Sequence, residues 1–223
     1  MRRARLRAAA AAGGGAALAG LLLFAFCEPR LDLSPGLWLA NFREVVPGRL
    51  YRSGQLDPAQ LREVVERFGI RSVVNLRGYD PRPAWHRAER EAAGRLGVAH
   101  FDVHLSARSL PRREELLKLL ALYRSTPVPI LVHCESGADR AGEAAALYRI
   151  ELLGEAPEAA AAAELGLTER HWRWRKPEKR AFLARYGGLA WLRERYDPCG
   201  DDWQGLRRPR SCASAARGGA AGG

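Results

Sequence analysis

Between an apolar run and a helix-like run, the chain reads His133-Cys134-Glu135-Ser136-Gly137-Ala138-Asp139-Arg140. The run before it, "VPILV", is apolar throughout and reads as a strand at the centre of a sheet. If that strand ends at His133 and a helix begins near Arg140, residues 134–139 join them at the carboxyl end of the sheet, where open α/β folds bind ligands. A loop entering a helix presents unpaired backbone N–H groups and the positive end of the helix dipole, so it cradles an anion. Gly137 permits a tight bend and close backbone approach. Arg140 adds a planar guanidinium that grips two phosphate oxygens at once. The same positive field stabilises a thiolate, the nucleophilic form of cysteine. The pattern therefore predicts attack by Cys134 on a phosphorus held in the loop, with His133 orienting the cysteine rather than acting as a base. The competing reading is a structural cysteine at a strand end and a surface arginine. Finding His, Cys, Gly and Arg together at these spacings, between a strand and a helix, favours chemistry.

The elements that must position this loop alternate along the chain. "RLYRSGQ" reads as a short strand entering a turn. "DPAQLREVVERFG" follows as a helix, with Asp57 at its N-cap, Pro58 at its first position and Gly69 at its end. "IRSVVNLRG" is β-branched and strand-like, and "RPAWHRAEREAAGRLG" is helical to Gly97. "VAHFDVHL" alternates as a strand does, and "PRREELLKLLALYRS" opens on Pro111 and carries a leucine stripe. After the loop, "RAGEAAALYRIELLG" is a helix and a helical pair is expected over roughly residues 157–195. Such alternation argues an α/β fold with a mostly parallel sheet covered on both faces.

The ends differ in character. Arg2, Arg3, Arg5 and Arg7 precede an uncharged stretch from Ala8 to Cys27, so residues 1–30 are expected to be an apolar signal-anchor helix spanning the membrane. The arginines would hold its start in the cytoplasm and place the domain outside it, in the periplasm of a bacterium. Residues 197–223, rich in Gly, Ala, Arg and Pro, are expected to be a disordered tail. Cys199 and Cys212 lie there; they pair if the compartment is oxidising and are otherwise exposed thiols. No CxxC spacing occurs, which argues against a zinc site. The formal net charge of +11 comes almost wholly from arginine. With abundant Ala and Gly it reads as GC-rich coding bias rather than as a nucleic-acid surface. "RHWRWRK", residues 170–176, is read first as a segment whose tryptophans pack on the domain and second as a membrane-surface patch.

The stretch "HCESGADR" resembles the HCxxGxxR signature of cysteine-dependent protein tyrosine and dual-specificity phosphatases. "NFREVVPGRLYRSGQL", "GIRSVVNLRG" and "HLSARSLPRREELLKLL" resemble the opening segments of bacterial atypical dual-specificity phosphatases, over roughly residues 41–190. The resemblance implies a twisted four- to five-stranded sheet flanked by helices, in a phosphatase domain over residues 41–196. It implies that Cys134 forms a phosphocysteine, that Glu135, Ser136, Gly137, Ala138, Asp139 and Arg140 hold the phosphate, and that no metal or cofactor is needed. Two positions depart from it. Ala141 stands where many members carry Ser or Thr. The loop that usually bears the general acid aligns with "HFDVHLSARS", placing Ser106 or Ala107 at the acid's position. Relatives with HCxxGxDR are similar at Asp139, which becomes the implied acid, with Asp102 in reserve. The implied substrate is a phosphorylated protein, lipid or sugar. A phosphate-binding pseudophosphatase is the alternative, and no nucleic acid is expected as a partner.

Overall fold

The computed structural model describes residues 35–166 and 176–213. A short helix α1 (Pro35–Leu39) leads into a hairpin of β1 (Arg43–Val46) and β2 (Leu50–Ser53). Helices and strands then alternate: α2 (Pro58–Phe68), β3 (Ser72–Asn75), α3 (Ala84–Arg95), β4 (Ala99–Asp102), α4 (Arg113–Ser125), β5 (Ile130–His133) and α5 (Asp139–Leu153). The remainder holds α6 (Pro157–Glu164), α7 (Pro177–Ala184), α8 (Gly188–Glu194) and a 3-10 turn at Asp201–Trp203.

The five strands form one sheet in the order β1-β2-β5-β3-β4. The β1–β2 pair is antiparallel and the other three pairings are parallel. All four residues of β5 are buried, as its apolar sequence requires at the centre of a sheet covered on both faces. Those of β4 are only partly buried, which suits an edge. Register places Ser53, His133, Asn75 and Asp102 in one row across the carboxyl ends of the parallel strands. Side chains of one row share a face, so the sheet carries a polar row beneath α3 at the end where the Cys134 loop leaves.

Local sequence accounts for the helix that opens the series. Asp57 accepts from the N–H groups of Ala59 and Gln60, and Gln60 reaches back to the Asp57 N–H, a capping box with Pro58 inside it and Gly69 in the left-handed region at the exit. The alternation matches the expected α/β class. The described residues within 157–195 form three helices where a pair was expected, because the chain turns at Arg185–Gly187 before α8.

The tail differs from expectation. Disorder from Asp197 onward does not hold as far as Ala213. Cys199 and Cys212 form a disulfide, Trp203 is 3% exposed, and its indole Nε1–H donates to the Asp197 carbonyl at 2.9 Å. One indole and one crosslink anchor a segment whose composition reads as structureless. Trp203 joins a cluster with Phe182, Tyr186, Trp191 and Tyr196, with the Tyr196 ring 5.7 Å from Trp203 and 5.2 Å from Phe182. The cluster is continuous with the core formed by Leu116, Leu119 and Leu120 of α4 and Leu147 of α5. Among the described residues no helix is long and apolar enough to cross a membrane. The anchor expected at residues 1–30 lies outside the described residues, as do Trp172 and Trp174 and residues 214–223.

Candidate active site

The loop begins where β5 ends. The Cys134 N–H donates to Ser53 O at 3.2 Å and the Leu76 N–H to His133 O at 2.8 Å, so both neighbouring strands fix the last residues of β5. Cys134 is 2% exposed and is the free cysteine among the described residues. Gly137 has φ +69°, and a Cβ there would stand 2.5 Å from the Gly54 nitrogen. Only glycine serves at that point, for its left-handed conformation and for the backbone pressed against it. α5 starts at Asp139 with Ala138 as its N-cap, and no side chain caps it.

Past Cys134, the anchors from Asn41, Arg52 and Gln55 all take loop carbonyls. Arg52, wholly buried on β2, donates from Nη2 to Gly137 O at 2.6 Å and to Ala138 O at 3.1 Å. Asn41 donates from Nδ2 to Gly137 O at 3.1 Å and to Ser136 O at 3.4 Å. The Gln55 N–H donates to Glu135 O at 3.1 Å. With its carbonyls bound outward, the loop keeps the N–H groups of residues 135–138 without acceptors among the described residues. Together with the first-turn N–H groups of α5, these form the set of donors that an oxyanion needs. Arg52 is held in turn by Glu164 at the end of α6, whose carboxylate lies 2.8 Å from Nη1 and whose carbonyl accepts from the same nitrogen at 2.8 Å.

Two guanidinium groups border the loop. The Arg140 side chain is 12% exposed, its Nη2 is 3.6 Å from Glu135 Oε2, and its buried Nε–H has no acceptor among the described residues. A phosphate oxygen would supply one. The Arg77 guanidinium lies 3.6 Å over the Trp85 ring and donates to Gln55 Oε1 at 3.0 Å. Burial holds the Arg77 pKa below its ordinary value; Glu135 opposes this shift and the neighbouring Arg140 adds to it.

A family model described as the DSP-PTPase phosphatase fused to NAD+ kinase matches residues 40–176. The chain belongs to this phosphatase family. Among solved structures it is similar to P. aeruginosa TpbA, at 23% identity over 73% of this chain and 92% of that one, with a TM-score of 0.55. TpbA in complex with pTyr gives 22% identity over 73% of this chain and 91% of that one, also with a TM-score of 0.55. The core catalytic domain of the PP-IP phosphatase Siw14 from S. cerevisiae, in complex with citrate, gives 21% identity over 75% and 96%, with a TM-score of 0.53. These likenesses concern the fold. No curated protein matches the chain.

Seen as a cysteine-dependent phosphatase, the chain brings Cys134, Gly137 and Arg140 together as the spacing predicted. His133 reaches α3. Its Nε2 lies 3.1 Å from Glu89 Oε1 on α3, and that oxygen is also 2.7 Å from His100 Nε2. Burial would raise the Glu89 pKa, but His133 and His100 together hold it well below the usual carboxylate range. His133 thus ties the end of β5 to α3.

The proton donor is the second question. The loop from Val103 to Arg112 carries no carboxylate, as the alignment of Ser106 and Ala107 implied. Lys179 holds that loop: its Nζ donates to Ser109 O at 3.2 Å and pairs with buried Glu143 of α5 at 2.7 Å. Asp102 sits in the polar row, 3.0 Å from His86 Nε2, accepting from Asn75 at 2.8 Å and from Arg90 at 3.2 Å. Burial works to raise its pKa, yet the His86 and Asn75 bonds leave it lowered, an environment that opposes proton donation. Asp139 lies in the first turn of α5, 5% exposed, in contact with Lys176 Nζ.

Sequence reasoning missed Asn41, Arg52, Arg77, Glu89 and Lys176. Only Arg52 left a signal, a charge inside a short strand whose other positions are apolar or small.

Proposed function

We propose that the chain hydrolyses phosphomonoesters through a phosphocysteine on Cys134. The loop N–H groups and the Arg140 guanidinium bind the phosphoryl oxygens. The Cys134 thiolate attacks phosphorus, forming the S–P bond as the ester P–O bond breaks. Asp139 gives its proton to the departing oxygen, once Lys176 has exchanged that carboxylate for the substrate phosphate. In the second step Asp139 takes a proton from water, the water oxygen attacks phosphorus, and phosphate leaves with the thiolate regenerated. The observation that carries this reading is the carbonyl-out loop with Cys134 at its base and the buried, acceptor-free Nε–H of Arg140 at its rim. The substrate is a phosphorylated protein, lipid or sugar, and the pTyr complex of TpbA makes an aryl phosphate the first compound to assay.

Cys134→Ser should abolish turnover while vanadate still binds. Asp139→Asn should slow alkyl and phenyl phosphates by about 10²–10⁴-fold and spare an aryl phosphate with an acidic leaving group. Equal slowing across leaving groups would remove Asp139 from the acid role, and turnover by Cys134→Ser would remove the covalent mechanism.

The same proposal places the domain outside the cytoplasm, on an anchor within residues 1–30. Its support is the arginine cluster ahead of the apolar stretch, together with a disulfide of a kind that persists in oxidising compartments. A reporter fused after Tyr196 that is active only in the cytoplasm would overturn it.

A further inference from the structure

Beside the phosphate loop lies a cavity of about 880 Å³ whose walls come from three places. Glu135 and Arg140 line it together with residues of the 103–112 loop and residues 207–211 of the disulfide-closed tail. Six arginines line it, namely Arg108, Arg112, Arg140, Arg207, Arg208 and Arg210, against one carboxylate, Glu135. Arg112 is paired with Glu115 at 3.0 Å, and Arg208 binds the Cys199 carbonyl at 2.9 Å. The Arg108, Arg207 and Arg210 side chains are exposed and have no acceptor among the described residues.

Like charges gathered on mobile segments drift apart, so the fold must hold these together. The Leu110 N–H donates to Arg207 O at 2.9 Å, the Arg207 N–H donates to Glu178 Oε1 at 3.3 Å, Trp203 is sunk in the core, and Cys199–Cys212 closes the segment. A segment so tied keeps its guanidinium groups at the mouth of the cradle, at a cost in mutual repulsion that a bound polyanion would relieve.

Resting on the phosphatase reading above, we propose that this tail forms a second anion subsite and that the substrate is a small molecule carrying a further phosphate besides the one cleaved. Guanidinium groups grip phosphate oxygens in pairs, and the cavity has the volume of a small-molecule site. Its charged lining, six arginines against one carboxylate, suits a ligand that carries more than one phosphate.

The test compares glucose 6-phosphate with glucose 1,6-bisphosphate as inhibitors of aryl phosphate hydrolysis by the full chain. The bisphosphate should bind at least tenfold more tightly, with a steeper loss on adding salt. Arg207→Ala/Arg210→Ala should erase that preference while leaving aryl phosphate turnover and monophosphate inhibition within twofold. Arg108→Ala, on the 103–112 loop, should erase part of it and serves if the double variant folds poorly. Equal inhibition by the two sugars, or a preference untouched by both variants, overturns the subsite. An acidic phosphopeptide that gains tenfold where the bisphosphate gains nothing overturns the small-molecule assignment. If the chain turns over no aryl phosphate, the phosphatase reading fails by itself. Calorimetry with the two sugars then still decides the subsite.

Discussion

Asn41 separates the shape of the cradle from its mere presence. The residue is 3% exposed, holds φ +58°, and its amide donates to Gly137 O at 3.1 Å and Ser136 O at 3.4 Å. Asn41→Gly keeps the left-handed conformation available and removes both donors. Gly137 O retains Arg52 at 2.6 Å, the Ser136 bond is long, and the half-buried Arg43 Nε–H that loses Asn41 Oδ1 at 3.1 Å can turn to water, so the hydrogen bonds lost sum to about 1 kcal/mol. Glycine adds up to about 1 kcal/mol of chain entropy. The variant should therefore unfold about 1–2 kcal/mol more easily in urea, and its Tm should fall by about 2–8 °C. Asn41→Ala exchanges the entropy term for a left-handed strain of about 1–2 kcal/mol and should be at least as unstable. Both variants free one side of the loop, whose N–H directions depend on where its carbonyls are held. A transition-state loss of about 1–2 kcal/mol corresponds to a fall of about 5- to 30-fold in kcat/KM on an aryl phosphate. If Asn41→Gly loses stability and keeps full kcat/KM, the carbonyl anchor does not shape the cradle and the reasoning fails.

Two further perturbations follow from the same geometry. Gly137→Ala must place a Cβ against the Gly54 and Ser53 backbone at φ +69°, whereas Gly154→Ala, at φ +70°, meets nothing within 4 Å. Unfolding midpoints should show about 1–3 kcal/mol lost at Gly154 and clearly more at Gly137, with activity gone; equal losses would refute the close packing. Glu89→Gln tests the polar row through pH. The native pKa of Glu89 is depressed, so its contribution is complete above the ordinary value near 4.3 and is lost as pH falls toward the folded value. Below about pH 4 the stability gap between wild type and Glu89→Gln should shrink by about 1.4 kcal/mol per pH unit. A gap that widens on acidification would show that His133 and His100 do not hold the carboxylate in its charged form.

How much of this was legible in the sequence depended on distance along the chain. Cys134, Gly137 and Arg140 lie within seven residues, so turn chemistry and helix-terminus physics were enough to read them. Asn41, Arg52 and Glu89 act on the loop and the strand end before it from 44 or more residues away in one chain, and no local period marks them. Their roles exist only once β2 and α3 flank β5. The tail failed for another reason. Composition averages over residues 197–223, while order as far as Ala213 rests on Trp203 and a crosslink. The proposed acid was half legible: the absence of a carboxylate from the 103–112 loop was plain, and the Asp139–Lys176 contact was not.

The ring cluster of Phe182, Tyr186, Trp191, Tyr196 and Trp203 also bears on how such a module travels between longer polypeptides. In the proposed mechanism every participating residue lies at or before Lys176, so a gene fusion joined just after it would carry them all. It would also strip α7 and α8 from α4 and α5, opening a hydrophobic seam that runs from Leu116 to Leu147. Such a recombinant would have to cover the seam with foreign sequence or aggregate. The inheritable unit is therefore longer than the catalytic one, and its far border is drawn by an indole rather than by a nucleophile.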